Sequence, residues 1–259
     1  YLVTGEEVWS YSNGQFNPMI TTKNEFNKTK VYNLIGNIYL SVNPVKGLTI
    51  KSMFSPNFTF NEVGQYRGKY TKANKGQNNA TSNYSKDSYT NWVWDNVVNY
   101  NLNIKDIHRI ELTGVFSMLQ NQREYLYGRG NGLSFNSLWF NLQGGSDSNV
   151  SQSDYVKSNM ISYLVRGHYS FLDKYFITAS VRFDGSSKLA DGHKWGSFPS
   201  VALAWRISNE KFMSNATWLN NLKLRVSYGQ AGNDNTSPYG TAGSISGAYY
   251  YTFGNNEVI

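Results

Sequence analysis

The sequence predicts an all-β protein: an antiparallel transmembrane β-barrel, of which this chain supplies about eight to ten strands. Three observations carry the prediction. Apolar and polar residues alternate at period two, short turns alternate with long polar loops, and aromatic residues crowd the strand ends. Alternation alone also fits a soluble antiparallel barrel or sandwich. The loop asymmetry and the strand lengths favour the membrane-spanning alternative.

Composition agrees with this class. Tyr (20), Phe (14) and Trp (7) supply much of the apolar content, and Cys is absent, which excludes a disulfide scaffold and a thiolate metal site. The net charge of +7 is scattered, so a solvated basic surface is favoured over nucleic-acid binding. The sequence has no apolar run long enough for a transmembrane helix, and its first residues do not form a signal peptide.

Eight strands are predicted, with two weaker candidates near the ends. In chain order the strands are Asn33–Val42, Leu48–Phe58, Trp92–Ile104, His108–Leu126, Asn159–Phe171, Lys174–Gly185, Phe198–Ile207 and Leu222–Ala231, and the weaker candidates lie near Val3–Tyr11 and Ser244–Phe253. Alternation justifies most of them. Apolar faces are predicted from Trp94 to Leu102, Ile110 to Met118, Ile161 to Tyr169, Tyr175 to Phe183, Val201 to Ile207 and Leu222 to Tyr228.

The connections alternate in length. Tight turns are predicted at Asn43–Gly47, Lys105–Ile107 and Leu172–Lys174, and a longer but bounded connection at Ser208–Asn221. Long polar loops are predicted at Thr59–Asn91, Tyr127–Ser158 and Ser186–Ser197, with a last one from Gly232. We expect the apolar face to meet lipid and the opposite face to line a wet lumen, and backbone pairing in lipid requires the sheet to close.

The sequence predicts neither an enzyme nor a bound cofactor. The three His residues are scattered, and none has a partner at metal-ligand spacing. The segment Asp184–Gly196 lacks the ligand order of a calcium loop, and Ser227 lacks the frame of a nucleophile elbow. The glycines of Tyr127–Ser134 precede no helical pattern, so a phosphate cradle is not expected there.

Seven residues are candidates for substrate contact, because sugars and peptides bind to aromatic faces and polar side chains. Trp139 and Phe140 lie in a predicted long loop, as do Tyr127 and Arg129. Arg166, His168 and Arg182 are predicted to face the lumen. The alternative for the loop residues is packing against a neighbouring loop or a partner. The alternative for the arginines is pairing with carboxylates of the wall or of a plug.

The segment from about Asn159 to Asn233 resembles the barrel of SusC/RagA-family TonB-dependent outer-membrane transporters. The phrases that carry the resemblance are "LVRGHYSFLDKYFITASVRFDGSSK", "HKWGSFPSVALAWRISNEKFM" and "LNNLKLRVSYGQAGN", with a looser match in "YNLIGNIYLSVNPVKGLTIKS". The resemblance implies that the whole of 1–259 is an internal part of a larger barrel. Plugged outer-membrane barrels have about 22 strands. The plug and N-terminal domains are expected outside these residues.

The resemblance also implies a function and partners. Members of this family import bulky nutrients, commonly oligosaccharides or peptides, across the outer membrane of Bacteroidetes-type bacteria. A SusD-like surface lipoprotein caps the extracellular mouth, and the TonB complex supplies energy through regions outside this chain. Membrane lipid or lipopolysaccharide is expected around the wall, and nucleic acid is not an expected partner. Two alternatives stay open: a self-contained small outer-membrane barrel acting as an adhesin or enzyme, and a soluble basic β protein that binds polyanions.

Overall fold

A computed structural model describes residues 2–3, 6–7, 18–74, 79–146, 150–215 and 218–240. One short helix, α1 (Pro18–Asn24), precedes the main sheet, and a separate ribbon pairs β1 (Leu2–Val3) with β2 (Glu6–Glu7). The main sheet has nine strands: β3 (Glu25–Ile35), β4 (Ile38–Val45), β5 (Leu48–Arg67), β6 (Thr81–Ile104), β7 (His108–Asn131), β8 (Val150–Phe171), β9 (Tyr175–Ser186), β10 (Trp195–Arg206) and β11 (Lys223–Gly229). Short 3₁₀ turns lie at Leu142–Gly144, Ile207–Asn209 and Lys211–Met213.

The main sheet is an antiparallel meander, which confirms the predicted fold class. Its strands follow the order β11-β10-β9-β8-β7-β6-β5-β3, and β4 also pairs with β5. The outermost strands β3, β4 and β11 are exposed along their whole length. Among the described residues, no helix is both long and apolar enough to cross a membrane.

The first predicted strand, Asn33–Val42, is divided at Gly36. Strands β3 and β4 lie end to end along the same side of β5, separated by two residues that are not in a strand. Pro56 of β5 faces this break and accepts a hydrogen bond from the Gly36 amide at 3.1 Å. Because proline has no N–H to donate, the ladder loses its reciprocal bond at this point.

The register gives each strand one apolar and one polar face, as the alternation predicted. One row across the sheet joins Leu102, Ile110, Tyr169, Ile177, Leu203 and Val226. These residues define the apolar face. The next row includes His168, Thr178 and Ala202, which belong to the opposite, polar face.

The apolar face is apolar over only part of its height. On β7 it is apolar from Ile110 to Met118 and then continues with Gln120, Gln122 and Glu124. On β6 the change follows Trp92, and on β5 it follows Phe60. The apolar band on β7 is therefore nine residues long, a length that crosses a bilayer as a tilted strand. The remainder of β5–β8 continues beyond the band, and we call this part the upper wall.

The upper wall corrects two predicted loops. The sequence predicted loops at Thr59–Asn91 and Tyr127–Ser158. Strands occupy most of the first range and both ends of the second, so the connections are 68–80 and 132–149. The loop predicted at Ser186–Ser197 shortens to 187–194. Alternation of polarity disappears in the upper wall because both faces are polar. The hydrogen-bonded ladder nevertheless continues through residues that suit strands, such as Tyr, Thr and Val.

The tight turns are confirmed. Lys105 and Asp106 have φ of 52° and 55°, and Leu172 and Asp173 have φ of 52° and 54°. Two successive residues at positive φ form the type I′ turn that matches the twist of a two-residue hairpin. At the turn predicted for Asn43–Gly47, β4 continues to Val45 with an irregular register, and Gly47 has φ of 84°.

Two weaker predictions lie largely outside the described residues. Of the candidate near Val3–Tyr11, the structure describes only Val3, Glu6 and Glu7, which belong to the β1–β2 ribbon. The candidate Ser244–Phe253 lies wholly outside the described residues.

Candidate functional site

An ion pair organises the polar face of the upper wall. Arg123 of β7 donates two hydrogen bonds to the Asp87 carboxylate of β6, at 2.9 and 2.8 Å. Tyr89 donates a third to the same carboxylate at 3.1 Å. The pair lies beyond the apolar band, and the Arg123 hydrogen bonds hold the pKa of Asp87 below its usual range. A bidentate pair of this kind fixes the orientation of both side chains.

Two tyrosines flank the arginine. The Arg123 guanidinium lies 5.6 Å from the Tyr89 ring centroid and 5.3 Å from that of Tyr125. All three side chains are half-buried, so ring and guanidinium surfaces are still partly open to a ligand. An arginine held between two tyrosines can present stacking surfaces and donors to a sugar or a peptide.

Tyr127 and Arg129 lie on β7, beside this cluster and nearer the end of the wall. They were predicted to belong to a loop, and the structure corrects this to strand positions on the polar face. Tyr127 donates to Asn83 Oδ1 at 3.2 Å, and Asn83 donates to Gln65 Oε1 at 3.3 Å. Arg129 donates to Asn131 Oδ1 at 2.8 Å. Amide and phenol groups therefore form a hydrogen-bonded row across β5, β6 and β7.

Arg166 and His168 lie at the other end of the polar face, beside a hollow of about 200 Å³. The hollow is open because Ala202 and Ala204 occupy the adjacent strand, and Lys223 and Arg225 also line it. His168 shares a 2.8 Å hydrogen bond with Thr178 Oγ1, and its ring stacks on that of Phe176. Among the described residues, neither Arg166 nor Arg225 has an acid within ion-pair distance.

Arg182, the third predicted lumen residue, is already paired. Its Nε lies 2.7 Å from Asp184 Oδ1, and its Nη2 donates to Ser162 at 3.0 Å. Arg182 lies on the predicted face. Its pairing with Asp184 matches the alternative that the arginines pair with carboxylates of the wall. Any binding role for Arg182 stays a prediction.

Trp139 and Phe140 lie on the apolar-face side of the upper wall, away from the other five candidates. The connection 132–146 folds back over that face, where Trp139 packs with Tyr66, Ala80 and Leu133. A Cβ on Gly64 would overlap the Trp139 indole, so the glycine makes room for the ring. Ser82, which is fully buried, donates to the Leu138 carbonyl. Trp139 therefore holds a connection against the wall.

Comparison with known proteins supports the resemblance to TonB-dependent transporters that the sequence indicated. No family model matches the chain. It is 31% identical over 235 residues to TonB-dependent receptor P26 of Formosa agariphila, covering 88% of this chain and 23% of that protein. It is 28% identical over 242 residues to the TonB-dependent receptor SusC of Bacteroides thetaiotaomicron, covering 88% of this chain and 22% of that protein.

Solved structures show the same fold. The RagAB peptide importer in its open-open state superposes with a TM-score of 0.81 at 20% identity, over 98% of this chain and 28% of that chain. Another structure of the RagAB peptide transporter gives 0.80 at 19% identity, over 97% and 28%. The predicted resemblance to the SusC/RagA family is confirmed. Over most of its length the chain is similar to TonB-dependent receptors, SusC among them.

The chain spans under a quarter of the length of the curated relatives it matches, and its sheet superposes on part of the RagAB importer chain. The relatives are receptors and transporters, so the prediction that the chain is not an enzyme is confirmed. Sequence reasoning missed the Asp87–Arg123 pair because it assigned Asp87 to the loop Thr59–Asn91, although it placed Arg123 in a strand. The signal that could have found it is the continued spacing of Asp87 with Tyr89 and of Arg123 with Tyr125.

Proposed function

We propose that this chain is part of the barrel wall of an outer-membrane nutrient importer. The importer takes up oligosaccharides or peptides, and its plug and N-terminal domains belong to other parts of a longer polypeptide. The observation that carries the proposal is the division of one sheet into an apolar band of membrane-spanning length and an opposite polar face. Similarity to the SusC receptor and to the RagAB peptide transporter supports it.

The polar face is the proposed cargo surface. Tyr89, Arg123, Tyr125 and Tyr127 present rings and donors in the upper wall, which is at the long-loop and therefore extracellular end. Arg166, His168 and Arg182 lie nearer the short-turn, periplasmic end. Cargo that passes along this face first meets the tyrosines around Arg123 and then the hollow beside Arg166 and His168. These roles are proposals for the individual residues.

The proposed partners follow from the same family. A SusD-like surface lipoprotein closes the extracellular mouth, the TonB complex supplies energy through regions outside this chain, and membrane lipid or lipopolysaccharide surrounds the apolar band. The partner of the RagA-type barrel in the RagAB peptide transporter supports the first of these.

The experiment is extraction of the native protein from outer membranes in mild detergent, followed by intact mass and identification of co-purified molecules. We expect a polypeptide several times longer than this chain, a surface lipoprotein, and bound oligosaccharide or peptide. A lone polypeptide near 29.4 kDa would overturn the proposal and favour the self-contained small barrel.

A further inference from the structure

A pocket of about 330 Å³ opens on the apolar-face side of the upper wall. Lys28 and Lys30 of β3 line one side, and Trp139 and Phe140 of the connection 132–146 line the other. Gly64 lies at its floor, where the absence of a side chain admits Trp139. The proposed cargo surface does not use this pocket, because the pocket is on the opposite face of the sheet.

The position of the pocket relative to the apolar band decides what can reach it. On β3 and β5 the band ends with the cross-strand pair Tyr32 and Phe60, and the next pair on that face is Lys30 and Glu62. The pocket therefore begins where the lipid-facing surface ends. A molecule embedded in the adjacent leaflet can enter it from the side with its polar end.

The pocket carries uncompensated positive charge. Lys28 and Lys30 are exposed and have no ion pair within the part of the chain that the structure describes. Glu62, the single acid among the described lining residues, is neutralised by Lys86 at 3.7 Å. Two adjacent ammonium groups at a membrane border attract phosphate, as basic pockets do for lipid head groups.

The aromatic side of the pocket adds a requirement for a ligand surface that can stack on a ring. The Trp139 and Phe140 ring centroids are 5.6 Å apart, and Phe140 is 79% exposed. The negative face of an aromatic ring attracts the polarised C–H bonds on one face of a sugar. Rings opposite two cations therefore match a sugar that carries phosphate.

We propose that this pocket binds the phosphorylated sugar head group of a glycolipid in the extracellular leaflet. Lys28 and Lys30 contact the phosphate, and Phe140 stacks on the sugar ring. The inference rests on the proposed outer-membrane location, and it adds a lipid site outside the lumen.

The test uses the full-length protein purified from outer membranes, with retained glycolipid counted by native mass spectrometry. Lys28→Gln/Lys30→Gln is compared with Lys46→Gln/Lys211→Gln, which removes the same charge from exposed positions at the short-turn end. We expect the first pair to retain at least fivefold less phosphorylated glycolipid than the second. Phe140→Ala is expected to reduce retention as well, and its exposed position leaves the fold intact.

Two further probes distinguish the sources of the ligand. The wild type should bind the dephosphorylated glycolipid at least fivefold more weakly than the phosphorylated one. The variant Lys28→Gln/Lys30→Gln should bind the two glycolipids equally. The soluble phosphorylated disaccharide without acyl chains should fail to displace the lipid. Equal retention by both lysine pairs, or displacement by the soluble sugar, would overturn the proposal. A protein found in outer membranes with either result still supports the importer, so the two proposals fail separately.

Discussion

The Glu210 carboxylate accepts a hydrogen bond from Tyr175 Oη at 2.6 Å, which ties the connection between β10 and β11 to the start of β9. The same carboxylate accepts hydrogen bonds from Lys174 Nζ at 3.0 Å and from Trp205 Nε1 at 3.1 Å. Three donors from neighbouring elements therefore meet on one acceptor at the short-turn end. Together, with the Tyr175 bond first, they lower the pKa of Glu210 to about 2.

This carboxylate makes stability depend on pH. Because the folded pKa of Glu210 is depressed, its contribution is complete above the ordinary glutamate pKa of about 4.3 and is lost as pH falls toward about 2. We therefore expect the melting temperature of the full-length protein in detergent to fall as the pH is lowered from about 5 to about 3. Glu210→Gln should melt lower at pH 7 and show a shallower pH dependence. An unchanged pH slope would contradict the role of Glu210.

The Asp87–Arg123 pair is expected to position the tyrosines more than to stabilise the fold. In a double-mutant cycle with Asp87→Asn and Arg123→Gln, we expect a coupling of about 0.5–1 kcal/mol, since the pair is partly exposed. Arg123→Lys keeps the charge but loses the bidentate contact.

Cargo binding provides the more sensitive readout for this pair. If Arg123 orders Tyr89 and Tyr125, then Arg123→Lys should weaken binding of the native cargo severalfold in calorimetry with little change in melting temperature. Lys157→Arg on the other face is the matched control. Equal affinities of wild type and Arg123→Lys would remove the pair from the cargo surface.

The Leu172–Asp173 turn offers a stabilising substitution. Leu172 has φ of 52° and is exposed, and leucine at positive φ is strained, whereas asparagine tolerates this region. We expect Leu172→Asn to stabilise the protein by about 0.5–1 kcal/mol. Leu172→Val, with a β-branched side chain, should destabilise it. Thermal unfolding of both variants checks the prediction, and the same sign for both would refute it.

Gly64 and Gly114 form a matched pair of strand glycines on the apolar-face side. A Cβ on Gly64 would overlap Trp139, whereas a Cβ on Gly114 meets no atom within 4 Å. We expect Gly64→Ala to displace the connection 132–146 and increase its cleavage by protease at least severalfold. Gly114→Ala should leave the cleavage rate unchanged. Equal cleavage of the two variants would show that Trp139 does not need the glycine.

The sequence predicted the fold best where lipid and water lie on opposite faces. From Tyr175 to Asp184 the predictions of the strand and of its two faces were correct, because successive residues face lipid and water in turn and the sequence therefore alternates. From Gln120 to Asn131 both faces are polar, so the strand was partly assigned to a loop. The sequence did not predict the Asp87–Arg123 pair for the same reason, since both faces of the sheet are polar there.

The candidate site was only partly predictable for a second reason. Arg166, His168 and Arg182 were placed on the correct face, because their strands alternate. The position of Trp139 depends on how a connection folds back, which short-range patterns do not encode. A signal was nevertheless present in the small residues at Gly64, Ser82, Gly128 and Gly130, which all lie under that connection.

The upper wall also determines how far a membrane anchor lies from the rim. On β7 thirteen residues, 119–131, follow the apolar band, and at about 3.3 Å per residue and a tilt of about 40° they rise about 33 Å above the membrane. The lipoprotein proposed as a lid would sit on this rim with its acyl chains in the leaflet below. Its tether must span the same height, which takes at least about nine fully extended residues. The length of β7 thus sets a minimum tether for any lipid-anchored lid.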